Sequence, residues 1–499
     1  MEQVIAWLAQ QDVETYLVGG CVRDRLLGRP VWDLDVAVAG DGLKLARRLA
    51  NHFQGAYYPL DEARSTGRAI LPGLGAPRLV VDVARFRGLS PSGLSGSAGQ
   101  ASSEQSLAAD LADRDFTINA LAANVRTPGD VIDHHQGLAD LQARLIHPVS
   151  EASIRNDPVR ALRAIRLAAD LDFALSPATQ DLIRRDGAAL AHVAGERSRD
   201  ELARLLALSN AAPYLERLDE LHLLTILLPE LEPLRGLVQS PPHHLDVLAH
   251  SLATVGALEA ILVQPQATPN SQHPLSNPSL EVLAAFTERV RVHLGQMMSD
   301  TRPRLVTLKL AALLHDTGKP AARTVDEDGQ IHFIGHQKEG AKIAGRVLRR
   351  FRFNNVEVRL GETIVQHHMR PLLLANQKSV SSSAIYRFFR DTGEAGVDVM
   401  FHALADRQAT YPPDAPNDAW PGLVTLASRM LTDYWERHAE QVAPPPLIDG
   451  YDLLREFGLQ PGPQIGMLLE AVREAQVTGQ VHTREEALAL IHTRLADRQ

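Results

Sequence analysis

Along the first 135 residues the hydrophobic period keeps changing. The stretches "WDLDVAVAG" (32–40) and "RLVVDVARF" (78–86) alternate or run apolar, which predicts strands, while "GDGLKLARRLANHF" (40–53) has helical spacing. From about residue 136 the pattern is helix after helix. "DPVRALRAIRLAADLDF" (157–173) and "ERSRDELARLLAL" (196–208) place apolar residues at i, i+3, i+4 and i+7, with a proline early in the first. Two stretches break the pattern: a Gly/Ser-rich loop at 88–106 and an insert at 264–279 rich in Pro, Asn, Gln and Ser. The tail is helical again, interrupted by "VAPPPLIDG" and "GLQPGPQIG". No fixed-period repeat of the solenoid kind is present.

Composition narrows the class. A chain of 499 residues exceeds one ordinary core, so several domains are expected. Apolar content is 45% and charged content 22%, as in soluble globular proteins, and no apolar run is long enough to span a bilayer. No signal peptide is read, and the single cysteine, Cys21, excludes an intrachain disulfide; a reducing cytoplasm is the expected setting. The net charge of −9 means that a nucleic-acid partner would need a local basic surface.

The segment "YLVGGCVRDRLLGRPVWDLDVAVAG" (16–40) concentrates candidate chemistry. Residues i and i+2 of a strand share a face, so Asp33 and Asp35 project side by side and repel each other unless cations intervene. Mg²⁺ shared with substrate phosphates resolves that repulsion and suits phosphoryl transfer. Gly19 and Gly20 let the backbone approach a triphosphate, and Arg23 could neutralise phosphate charge.

"VGGCVRDRLLGRPVWDLDVAV" resembles the signature of class II tRNA nucleotidyltransferases and bacterial poly(A) polymerases, within the polymerase-beta-like superfamily. Three further segments match the same family in the same order: "ADRDFTINALA" (112–122), "RNDPVRALRAIRLAADLDF" (155–173) and "GERSRDELARLL" (195–206). The resemblance implies that Asp33 and Asp35 bind metal, with Asp82 of "LVVDVA" as a third carboxylate. It implies that Arg114 contacts the incoming nucleotide and that Asp157 and Arg160 face its base, with Arg163 and Arg166 on the same helix. Aspartate accepts from the exocyclic amine that cytosine and adenine share, and arginine donates to ring acceptors. The chain departs from the family at Asp113, where the motif has arginine, and at Asn156, where it has glutamate. The 88–106 loop lacks the family's usual charged and aromatic residues. That loop helps the family switch from C to A addition, so a partial enzyme, adding only CC or only A, is expected.

A second constellation follows. "HHLDVLAHSLATV" carries His250, "LAALLHDTGKPA" carries His315 and Asp316, and "HALADRQA" carries Asp406. Together they resemble the HD domain of metal-dependent phosphohydrolases. The resemblance implies these four as ligands of one metal. His336 of "HFIGHQKEGA" and one of the adjacent His367 and His368, with His367 assigned, are expected to line the same site. Imidazole and carboxylate ligands suit Mn²⁺, Ni²⁺, Co²⁺ or Fe²⁺. Lys319 is placed to contact a phosphate, and Arg346, Arg349 and Arg350 form a basic helix that could bind RNA backbone.

The expected fold is multidomain α+β. A polymerase-beta-like nucleotidyltransferase head (1–135) precedes an all-α neck and body (136–235), an all-α HD domain (236–425) and a helical tail (426–499). The expected activity is addition of C and/or A to tRNA 3′ ends from CTP and ATP with Mg²⁺. A poly(A) polymerase is the same-class alternative. An HD phosphohydrolase acting on RNA ends, with the head as RNA-binding module, is the other. The expected partners are tRNA and the two nucleotides, with no membrane and no protein partner implied.

Overall fold

The structure is a computed structural model that describes residues 1–73, 78–86, 103–263, 278–412 and 415–496. Most of the 88–106 loop and of the 264–279 insert lies outside the described residues. The chain forms two compact units: Met1–Ala194 with Glu220–Ile226, and Gly195–Asp219 with Leu227–Gln499.

In the first unit, helix α1 (Glu2–Ala9) leads to strand β1 (Thr15–Val18), helix α2 (Gly20–Leu26), strand β2 (Asp33–Val38) and helix α3 (Gly42–His52). Strands β3 (Ala56–Asp61), β4 (Thr66–Pro72) and β5 (Arg78–Arg85), helix α4 (Ser103–Ala112), and strands β6 (Leu121–Asn124) and β7 (Val131–Asp133) follow. The seven strands are ordered β3-β4-β5-β2-β1-β6-β7. Only β2 and β5 run parallel; every other neighbouring pair is antiparallel.

Alternation decides which face is core. Leu34, Val36, Leu79, Val81 and Val83 are buried with Leu45 and Leu49 of α3, so the residues between them turn to the opposite face. Helix α3 is capped by Asp41, whose carboxylate accepts from the Lys44 amide at 3.1 Å and the Ser65 hydroxyl at 2.8 Å. Its first residue, Gly42, packs so closely that a Cβ would lie 2.2 Å from the Ser65 carbonyl oxygen and 2.9 Å from that of Val83. Helix α5 (Val159–Leu171) buries Val159, Leu162 and Ile165 at the predicted spacing. Arg163 donates to Asp115 at 3.1 Å and Arg160 to the Asp113 carbonyl at 2.6 Å. These bonds tie the helix to the segment after α4, and the first unit runs on to Ala194, beyond the expected head border at 135.

The second unit is built of helices: α6 (Gly195–Leu206), α7 (Val247–Val263), α8 (Arg304–Leu314), α9 (His336–Arg350), α10 (Asn355–His367) and α11 (Ala395–Thr410). Two short ladders interrupt the helical stretches expected after residue 135. Leu145–Ile146 pairs with Ala174–Leu175 in the first unit, and Thr324–Val325 with Ile331–His332 in the second. The tail helices α12 (Gly450–Phe457), α13 (Pro463–Val477) and α14 (Arg484–Ala496) share their own core around Leu453, Leu468, Val472 and Ile491. No described helix is long and apolar enough to cross a membrane.

Two buried ion pairs hold the helices around α8. Arg302 donates from Nε and Nη2 to both oxygens of Glu357 at 2.7 and 2.8 Å. Arg304 and His293 both meet Asp398. Glu357 also closes the capping box of α10 by accepting from the Asn354 amide at 2.8 Å. Removing one partner leaves a buried, uncompensated charge. Glu357→Ala is therefore expected to lower unfolding free energy by about 3–5 kcal/mol, read by urea denaturation.

Candidate active site and candidate metal centre

The first site lies on the sheet face opposite α3, which Leu107 and Leu111 of α4 cover over β1 and β6 but on which Asp33 and Asp35 are exposed; this exposed part is the open face. Leu34 is buried between Asp33 and Asp35, so both carboxylates project from that face. Asp35 is opposite Asp82 in the parallel β2–β5 pairing, and Asp82 is opposite Arg68 in the antiparallel β4–β5 pairing. Arg68 therefore stands in one row with two of the three predicted carboxylates. It donates from Nε and Nη2 to Oδ1 and Oδ2 of Asp82 at 2.7 and 2.8 Å. Desolvation by surrounding protein groups holds the Asp35 carboxyl above its usual range; Arg114 opposes the shift, and Asp82 and Asp33 add to it.

Gly19 ends β1 at φ 80°, a conformation that favours glycine. A Cβ there would lie 2.3 Å from Arg114 Nη1 and 3.5 Å from Asp35 Oδ2. Gly20 opens α2, so the first amides of that helix start beside the carboxylates. Arg114 also reaches the Asn119 carbonyl and Asp110, each at 3.4 Å. Asp157 and Arg160 meet at 4.0 Å at the start of α5, and Arg160 also donates to the Arg114 carbonyl at 3.3 Å. Arg166 is half-buried on the same helix.

Arg23 differs from expectation. It is buried, and its guanidinium is shared between Asp24, at 2.9 Å from both Nε and Nη2, and Asn119, at 2.6 Å from Nη1. It braces α2 against the segment after Arg114, with Nη2 lying 3.5 Å from where a Cβ on Gly20 would be. Asn119 in turn donates to Asp115 at 3.0 Å. Burial works against the charged form of Asp115, but Arg163 and these hydrogen bonds hold its carboxyl below the usual range.

The second site is buried among α7, α8, α9, α10 and α11. Two groups of side chains converge on it: His250, His315 and Asp406, and His315, Asp316 and His368. His250 Nε2 is 3.0 Å from Asp406 and 3.9 Å from Asp316. His315 Nε2 is 3.1 Å from Asp316, and His336 Nε2 lies 3.4 Å from Asp316 and 3.2 Å from His368 Nε2. The Nδ1 atoms of His315, His336 and His368 each meet the carbonyl three residues back, at 2.8, 2.7 and 2.7 Å. That contact engages each Nδ1 with the backbone and turns each Nε2 inward, the orientation a metal ligand needs.

His368 replaces the expected His367. One step along the end of α10 turns the side chain by about 100°, and His367 falls beside Arg370 and Asp391. His402 joins the cluster although the sequence reading passed it over. It lies one helical turn before Asp406 in "HALAD", is fully buried, and its ring centre is 4.8 Å from that of His315. Neither of its nitrogens has a hydrogen-bond partner among the described residues.

Burial pushes His368 down to about 3, aided by His315 and His336. Burial likewise lowers His336 and His402, keeping them neutral. Burial opposes charge on His315, but Asp316 and Asp406 outweigh it and raise its pKa. Burial works against charge on both carboxylates, but His315 and Lys319 hold Asp316, and His250 and His315 hold Asp406, far below the carboxylate range. Imidazole nitrogens facing ionised carboxylates form a donor set that fits a divalent transition metal. Lys319 Nζ is 2.6 Å from Asp316 and 2.5 Å from Gln239 Oε1. The basic helix is less available for RNA: Arg349 pairs with Glu362 and Arg350 with Glu230.

Family models match four stretches: a poly A polymerase head domain at residues 15–147, an RNA and SrmB-binding site of polymerase A at 172–234, an HD domain at 277–408, and a tRNA nucleotidyltransferase domain 2 at 442–491. An A-adding tRNA nucleotidyltransferase of Deinococcus radiodurans is 33% identical, covering 95% of this chain and 94% of its own. A CC-adding tRNA nucleotidyltransferase of Thermus thermophilus is 34% identical, covering 96% and 93%. Among solved structures, the Thermotoga maritima CCA-adding enzyme complexed with tRNA shares the fold at a TM-score of 0.57 and 20% identity, over 99% of this chain and 94% of that one.

Metal content separates the adjacent histidines. His368→Gln is expected to lower the bound Mn²⁺ of the purified protein and His367→Gln to leave it unchanged, read by elemental analysis after equilibration with Mn²⁺.

Proposed function

This chain belongs to the tRNA nucleotidyltransferase family and transfers nucleotides to tRNA 3′ ends, and from that premise we propose that it makes only one part of the terminal CCA. The grouping of Asp33, Asp35 and Asp82 on one sheet face, with Asp35 beside the Gly19 turn and Arg114, carries the reading for the chemistry. Two relatives of nearly full length, one A-adding and the other CC-adding, support a partial product, as does the composition of the 88–106 loop.

In the proposed reaction a tRNA 3′ oxygen attacks the α-phosphorus of CTP or ATP. The new P–O bond forms as the bond to the β-phosphate bridging oxygen breaks, and pyrophosphate leaves on the opposite side. Asp33 and Asp35 would hold Mg²⁺, which would supply charge neutralisation for the transferring group. Gly19 admits the triphosphate to the amides that open α2, and Arg114 meets it beside Asp35. Asp157 and Arg160 select C and A through the exocyclic amine and ring acceptors. The substrates place this work in the cytoplasm.

The convergence of five imidazoles and two carboxylates favours a second reading beside the first. The HD centre is a separate metal-dependent phosphohydrolase, with Mn²⁺, Ni²⁺, Co²⁺ or Fe²⁺ as its ion, His250, His315, Asp316, His336, His368 and Asp406 as ligands, and Lys319 on the substrate phosphate.

Three measurements check these readings. With tRNAs ending before CCA, after C and after CC, and with CTP and ATP alone and together, addition is expected to stop after CC or to begin only from CC. A full three-nucleotide extension refutes the partial enzyme, and long A tails on unrelated RNA would mark a poly(A) polymerase. Asp33→Ala or Asp35→Ala is expected to slow addition by more than about 100-fold with the melting temperature retained. His315→Ala is expected to remove metal-dependent hydrolysis of phosphate esters and to spare addition.

A further inference from the structure

Arg68 has no role in the chemistry so far. It sits on β4 directly opposite Asp82, which sits opposite Asp35, so Arg68, Asp82 and Asp35 form a straight row across three strands on the open face. The Gly19 turn, α2 and Arg114 lie at the other end of that row, past Asp35, because β1 flanks β2 on the side away from β5. The carboxylates therefore have two distinct sides.

In-line phosphoryl transfer places the attacking and leaving oxygens on opposite sides of the phosphorus. With the triphosphate against Gly19 and Arg114, the attacking 3′ end has to arrive from the side of Asp82 and Arg68. That end belongs to a polyanion, and Asp33, Asp35 and Asp82 all face it with negative charge. Arg68 is the cation in the row of Asp82 and Asp35. Its bidentate clamp on Asp82 uses Nε and Nη2 and fixes the plane of the guanidinium. Nη1 has no hydrogen-bond partner among the described residues, and the side chain is 40% exposed against 26% for Asp82.

We propose that Arg68 is a substrate-binding residue on the primer side, contacting a backbone phosphate of the tRNA 3′ end while it holds Asp82 in place. The proposal rests on the nucleotidyltransferase reading and adds to it which substrate this row receives. The bland alternative is a cross-strand pair that contributes only to stability, within about 1 kcal/mol.

The test uses the full chain with Arg68→Gln, which removes the charge, and Arg68→Lys, which keeps it. Binding of a tRNA ending before CCA is measured by fluorescence anisotropy across a salt series, without metal or nucleotide. KM values for nucleotide and tRNA are measured separately, and thermal melting checks folding. Arg68→Gln is expected to weaken tRNA binding roughly three- to tenfold and to reduce the slope of log K against log salt by about 1, with Arg68→Lys keeping the slope. The KM for tRNA is expected to rise and that for nucleotide to stay. If Arg68→Gln does not fold, Arg68→Met, which also removes the charge but keeps the length of the side chain, carries the test: tRNA affinity and salt slope unchanged from wild type overturn the proposal. Unchanged tRNA binding by Arg68→Gln in a wild-type background that extends tRNA overturns this proposal alone. A raised nucleotide KM with unchanged tRNA binding places Arg68 on the triphosphate side and overturns it too. Wild-type protein that neither binds nor extends tRNA overturns the functional reading and this proposal together.

Discussion

Carboxylates held within a few ångströms of one another have to be neutralised or protonated, and both candidate centres are built around that constraint. In the first unit Asp33, Asp35 and Asp82 share one face of a sheet, with Arg68 and Arg114 at either end of the group. In the second, Asp316 and Asp406 are fully enclosed and the compensating groups are histidines. The difference follows from solvent. An open face can exchange ions and admit a large polyanionic substrate. An enclosed pocket needs ligands that stay neutral until a metal arrives, and burial keeps His336, His368 and His402 neutral.

Each centre is held by packing that has no chemistry of its own. Under the sheet, the start of α3 approaches the Ser65 and Val83 carbonyls so closely that only glycine fits at position 42, and this seats the helix against β5 and the turn before β4. On the far side of the carboxylates, Arg23, Asn119, Asp115 and Arg163 form a chain of hydrogen bonds from α2 to α5. It fixes the segment that carries Arg114 and the start of the helix that carries Asp157 and Arg160. Around the metal centre, the pairs Arg302–Glu357 and Arg304–Asp398 set how α8, α10 and α11 rotate. Those rotations decide which side chains reach the cluster.

The two centres also answer different demands on a tRNA-modifying chain. Transfer needs a surface where a long RNA and a small nucleotide meet from opposite directions, which the open sheet face allows. A metal centre needs a confined pocket with fixed ligands, and three backbone carbonyls orient the imidazoles of the second site.

The amino-acid sequence by itself determined the local geometry. A period of two put Asp33 and Asp35 on one face, a period near 3.6 marked the helices after residue 136, and the Gly-Gly and His-Asp motifs marked where both sites lie. These are statements about neighbours a few residues apart, for which backbone periodicity is enough. Only the tertiary structure decided what meets across elements. Strand register set Arg68 against Asp82, an association fourteen residues apart that nothing in "TGRAILP" announces. The end of α10 chose His368 over His367, because one residue step turns a helical side chain by about 100°. Arg23 was drawn into the frame by Asn119, ninety-six positions away. His402 was one turn from Asp406 and so legible in principle, yet only the packing of α11 against α8 shows that it faces the cluster. Register and helix rotation are set by burying whole faces at once, and no short stretch of sequence contains that information.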